Sequence, residues 1–138
     1  MGKLMTFVAA VAVLAAAGAA FAAPKAFSKY TLDIPEGWAA HEDGNVVAIY
    51  GPYNTAAISI VMDTADGMTA LSIAEAMSGQ LRGSRPRPTP DGYVFTFKNQ
   101  NGVDSTSRIS VAGGAFVMVT VTGDHPQAAG ILNSIVYR

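Results

Sequence analysis

His41-Glu42-Asp43 sets an imidazole beside two carboxylates, a donor set able to hold a divalent cation. A catalytic zinc site takes three protein ligands, often two of them histidines, and the second histidine of this chain is His125. A metal-dependent enzyme would therefore need His41, Glu42 and His125 to meet in space. Along an extended strand His41 and Asp43 share one face while Glu42 points the other way. Solvated charge at a hairpin tip is the expected role. Asp63-Thr64-Ala65-Asp66-Gly67 opens like a calcium loop but lacks the third oxygen position and the distal bidentate Glu. It reads as a turn whose acids face the start of a helix. His125 lies where a last helix begins, a place that disfavours imidazolium. No nucleophile partners it: the chain has no G-x-S-x-G and no S-x-x-K. Cys is absent, which removes thiol nucleophiles, Cys-held metals and haem, and a lipid anchor on Cys. No catalytic residue, no bound metal and no cofactor is expected, and the chain does not read as an enzyme.

Arg82, Arg85 and Arg87 form the one cluster of basic charge. Their guanidinium forks suit carboxylates and phosphates. Pro86, Pro88 and Pro90 hold the segment extended, which lowers the ordering cost of docking. This loop, "RGSRPRPTPDG", is expected to lack regular structure and to be the leading contact surface, against the plainer reading of a solvated crossover. Trp38, Tyr50 and Tyr53, with the stripe Tyr93/Phe95/Phe97, are the aromatic candidates for lining a ligand pocket. Their plainer role is core and rim, since aromatic rings bury large areas.

The elements that must position these residues follow from periodicity. Phe27 to Ile34 is extended and ends at Pro35, with Gly37 turning the chain into a segment from Trp38 to His41. Asp43-Gly44-Asn45 signals a hairpin into Val46–Tyr50, and Ala56 to Met62 alternates as a fourth strand. From Thr69 to Leu81 the period becomes helical, with Thr69 as N-cap and Gly83 just past the end. Gly92–Lys98 places Tyr93, Phe95 and Phe97 on one face. Val103–Val111 alternates, with Asp104, Thr106, Arg108 and Ser110 on its wet side. Ala115–Thr122 is apolar on both faces and reads as a central strand. A last helix, capped by Asp124, buries Ala128, Ile131, Leu132 and Ile135.

The amino terminus reads as a secretory signal. Lys3 precedes an apolar run from Leu4 to Ala20, and Ala20-Phe21-Ala22 offers the small-x-small cleavage pattern. Cleavage after Ala22 leaves one domain, 23–138, with a periplasmic or secreted destination and no stable membrane insertion. The plainer alternative keeps the segment as an anchor, at the short end of the spanning range. The exported part carries eight cations against ten carboxylates, a net −2 that gives no reason to expect nucleic acid. Without disulfides, a packed core must supply its stability.

The order of elements (four strands, helix, three strands, helix) with hairpin connections predicts an α+β domain. It would be a mainly antiparallel sheet of about six or seven strands with two helices packed on it. The opening "YTLDIPEGW", the hairpin "NVVAIYGP" with "AAISIVMD", and the late "GYVFTFKNQNGV…SRISVAGGAFVMVTVTG" before a terminal helix carry a resemblance. Over about Phe27 to Tyr137 the chain resembles the Mog1/PsbP-like fold, including its periplasmic DcrB-like group. The resemblance implies a binding, assembly or accessory role and brings no catalytic residues with it. The expected function is an exported, non-catalytic accessory protein that docks to a protein partner in the cell envelope. The alternative is a small-ligand-binding periplasmic protein using the aromatic residues. Oligomeric state has no sequence signal.

Overall fold

The computed structural model describes residues 22–138. The expected signal peptide, 1–22, lies outside them except for Ala22, which opens the first strand. Strands β1 (Ala22–Ala26) and β2 (Tyr30–Pro35) form a hairpin, followed by β3 (Ala39–Asp43), β4 (Val46–Tyr50) and β5 (Ala56–Thr64). Helix α1 (Ala70–Leu81) leads to β6 (Arg87–Thr89), β7 (Gly92–Lys98), β8 (Asp104–Ala112) and β9 (Ala115–Gly123). Helix α2 (Ala128–Asn133) and the two-residue β10 (Val136–Tyr137) close the chain. Seven strands make one antiparallel sheet in the order β3-β4-β5-β9-β8-β7-β6, and β1-β2-β10 make a small second sheet. The architecture is the expected α+β one. No helix among the described residues is long and apolar enough to cross a membrane.

The large sheet carries two cores on opposite faces. On the front face Val47, Ile49, Ile58 and Ile60 pack with Leu32 of β2 and Ile131 of α2. On the back face Phe95, Ile109 and Met118 pack with Ile73 and Ala74 of α1. Alternation places them so: in β5 the buried Ile58 and Ile60 face front while Val61 packs on the back core. β9 serves both cores, with Val117, Val119 and Val121 in front and Met118 behind. That is why it is apolar on both faces and sits fourth of seven strands.

Thr69 caps α1 as its sequence signals. Its hydroxyl accepts from the Ser72 backbone N–H at 3.1 Å, and Ser72 Oγ accepts from the Thr69 N–H at 3.1 Å. At the other end Arg82 takes the left-handed conformation (φ 57°), and the Gly83 N–H reaches the Ser78 carbonyl at 2.8 Å.

Three expectations need correction. The segment expected to be extended from Phe27 begins only at Tyr30: Phe27 donates its N–H to the Tyr30 carbonyl at 2.8 Å in a reversal of the chain, and an unforeseen strand, Ala22–Ala26, precedes it and pairs with β2. The last helix is shorter than its apolar stripe. Gln127 rather than Asp124 precedes it, with no side-chain cap, and Ile135 lies beyond it. Ser134 ends it, its hydroxyl bonding the Ile131 carbonyl while accepting the Asp33 N–H at 2.8 Å, and Val136–Tyr137 then pair with β2. The proline-rich loop is not wholly irregular either: Arg87–Thr89 pairs antiparallel with β7. β6 is an edge strand, where the N–H that Pro88 lacks need not be missed by a neighbour.

Candidate functional site

The strand register carries one continuous front-face row across the whole large sheet. Arg87 pairs with Val94, Val94 with Arg108, and Arg108 with Val119. Val119 then pairs with Ile60, Ile60 with Val47, and Val47 with Glu42. The half of this row on β3, β4, β5 and β9 lies under β2 and α2. No front-face residue of β6, β7 or β8 belongs to either core. Here Arg87 and Arg108 are exposed, on one side of the sheet, flanking Val94. Beside them run the pair Thr96–Thr106 and the ion pair Lys98–Asp104 (2.6 Å).

Charge is segregated to this end of the molecule. Residues 82–108 carry Arg82, Arg85, Arg87, Lys98 and Arg108 against Asp91 and Asp104. The other described residues carry three cations and eight carboxylates. A net excess of positive charge therefore sits over α1's C-terminal end and β6–β8, and a net excess of negative charge over the rest. The exposed Lys98–Asp104 contact contributes little to stability, but it neutralises the β7–β8 tip and leaves the arginines as the uncompensated charge.

The three predicted arginines are all exposed and sit on three different parts of the fold. Arg82 sits at the helix end and borders two open depressions of about 770 and 480 Å³ between α1 and the β7–β8 hairpin. Arg85 lies in the connecting loop, and Arg87 opens β6 on the front face. Arg108 is the residue that reading the loop missed. Its signal was present in the wet-side alternation of β8, but only strand pairing brings it alongside Arg87.

The aromatic candidates are dispersed. Trp38 is 8% exposed and belongs to the front core. Its indole N–H donates to Gln127 Oε1 at 2.9 Å, and its ring meets His125 edge-on with centroids 5.0 Å apart. Tyr50 projects from the back face, opposite the Trp38 core, and Tyr53 stands 96% exposed in a left-handed turn (φ 57°). Trp38 and Tyr50 therefore do not face a common pocket. Tyr93, Phe95 and Phe97 pack with the back core.

The candidate ligating groups are likewise engaged elsewhere. His41 pairs with Ala48 on the back face, while Glu42 faces front and accepts the Ser28 N–H at 3.1 Å. His125 Nδ1 accepts the Gln127 N–H at 3.1 Å. Asp63 accepts from Asn45 Nδ2 at 2.9 Å and from the Thr64 N–H at 2.8 Å, and Asp66 accepts from the Thr64 hydroxyl at 3.2 Å. Among the described residues no three His, Asp or Glu side chains gather where they could share a metal ion.

No protein-family model and no curated protein matches the sequence. Among solved structures, the fold is similar to the solution structure of cyanobacterial PsbP (CyanoP) from Synechocystis sp. PCC 6803. The two share 10% identity with a TM-score of 0.50, over 88% of this chain and 95% of that one. A crystal structure of a protein from Bacteroides thetaiotaomicron matches at 17% identity and a TM-score of 0.49, over 79% of this chain. This chain spans only 45% of that protein's length. The fold is PsbP-like.

Proposed function

We propose that this is an exported, non-catalytic accessory protein that docks to a protein partner in the cell envelope through its cationic end. Membership of the periplasmic DcrB-like group is part of the same reading. One observation carries it: five cations and two carboxylates lie within 82–108 of a chain whose remaining described part is strongly acidic. An exposed field of one sign steers and orients a partner of the other sign. The signal-like amino terminus supports the envelope as the place where this happens.

Affinity recovery of the tagged chain from its own envelope fraction, after chemical cross-linking, tests the reading. A specific protein recovered by wild type and lost from an R82A/R85A/R87A triple variant is the expected result. Equal recovery by the triple variant would remove the cationic end from the account, and background proteins alone would end the accessory reading.

A further inference from the structure

We infer that the docking surface is the uncovered front face of β6–β8, centred on Arg87 and Arg108, and that it receives an acidic extended segment of a partner protein. This rests on the docking reading above and makes it specific. Adjacent strands lie about 4.8 Å apart, so two strand spacings put the Arg87 and Arg108 backbones about 10 Å apart on one face. An extended chain in the polyproline II conformation rises about 3.1 Å per residue with three residues per turn, so carboxylates three residues apart share one face and lie about 9 Å apart, close to that interval, when the chain crosses the strands. Val94, half-buried between the two arginines, offers apolar contact to the stretch of chain between those carboxylates. Each guanidinium can grip a carboxylate with two parallel N–H donors.

The occupant follows from what the face holds and lacks. Its charge calls for an anion, since Asp104 is already paired with Lys98. Besides Val94 the surface is built of Thr96, Thr106 and Arg side chains, with no large apolar side chain to enter a bilayer. No aromatic ring projects from the front of β6–β8, so single-stranded nucleic acid finds no stacking platform. An acidic protein segment fits these conditions.

The test titrates the purified chain against fluorescently labelled decaglutamate, with phosphatidylglycerol vesicles as a second arm. Wild type is expected to bind the peptide, with affinity falling as salt rises. R87A/R108A should weaken binding by about tenfold or more, and R82A/R85A by about threefold or less. All four side chains are exposed, so circular dichroism should find both variants folded. Equal losses in the two variants, no binding by wild type, or vesicle binding through Arg87 and Arg108 without peptide binding would each overturn the inference. The envelope capture separates it from the reading on which it rests. A partner lost from R82A/R85A but kept by R87A/R108A would preserve docking and overturn the sheet face. Decaglutamate binding that needs Arg87 and Arg108, with no envelope partner captured, would uphold the face while the accessory reading fails.

Discussion

Trp38 Nε1–H donates to Gln127 Oε1 at 2.9 Å, joining positions 89 residues apart in the chain. The bond ties the start of β3 to the start of α2 across the front core. Gln127 in turn donates its N–H to His125 Nδ1, whose ring meets the indole edge-on. The sole Trp, the second His and the uncapped end of α2 are thus one structural joint.

Removing the indole should loosen that joint measurably. Trp38→Phe loses the donor and part of the packing, and should cost about 1–3 kcal/mol, against about 1 kcal/mol for Gln127→Ala. The double variant should lose less than the sum, since both changes break the same bond. Urea unfolding followed by circular dichroism reads all three. Strict additivity would mean that the hydrogen bond carries no coupling.

Two glycines should respond very differently to alanine. Gly113 has φ +60° in open space, so Gly113→Ala should cost about 1 kcal/mol of backbone strain. Gly123 has φ +81°, and a Cβ there would stand 2.5 Å from the Thr55 carbonyl oxygen, where β9 passes β5. Gly123→Ala combines strain with a backbone clash and should cost about 3 kcal/mol or more. Thermal unfolding of the pair gives the comparison. Equal melting temperatures would show that the Thr55–Ala56 backbone moves freely aside.

The parts legible in sequence were those where local pattern and tertiary role agree. The wet-side alternation from Asp104 to Ser110, the all-apolar run of β9 and the cap at Thr69 each state a position in the sheet or helix. β1 and β10 were illegible for a physical reason. The turn at Ser28-Lys29 lacks Gly, Asn or Asp, and the exposed strand Ala22–Ala26 has no apolar alternation to announce it. β6 was obscured because Pro88 argues against a strand anywhere except at an edge, and edge position is decided by the other six strands. The arginine surface was half legible for the same reason. Arg87 and Arg108 are 21 positions apart in sequence, and only the register through Val94 makes them neighbours.

Alkaline pH should weaken the fold through Tyr30. Burial raises its phenol from the ordinary value near 10 to about 12, with Glu42 and then Tyr137 adding to the rise. Burial also raises Tyr137, with Asp91 contributing. A folded-state value above the unfolded one means the neutral phenol is favoured by folding. Its contribution is complete below pH about 10 and is lost as pH climbs through about 12. Tyr30→Phe should therefore show a shallower loss of stability over that window than wild type, by urea midpoints taken at successive pH values. Parallel curves would mean that Tyr30 ionises as easily in the folded chain as in the unfolded one.

The back-face seam between β8 and β9 carries paired hydroxyls. Ser107, fully buried on the back face of β8, shares a hydrogen bond of 2.7 Å with Thr120 of β9, and Ser105 shares one of 2.8 Å with Thr122 in the next back-face row. The pairs lie directly across the strands, and the fully buried Ser107 hydroxyl has Thr120 as its partner. Thr120→Val keeps the shape but strands the Ser107 hydroxyl out of reach of water, at a cost of about 1–3 kcal/mol. Ser107→Ala should cost less, because Thr120 is only half-buried and water can reach its hydroxyl. With both hydroxyls gone there is nothing left to strand, so the double variant should recover about 1 kcal/mol of the summed loss. A double-mutant cycle from urea unfolding measures that recovery. A cycle that closes at zero would show that Ser107 finds another partner when Thr120 is lost, and that the seam is held by the flanking Ile109 and Phe95 alone.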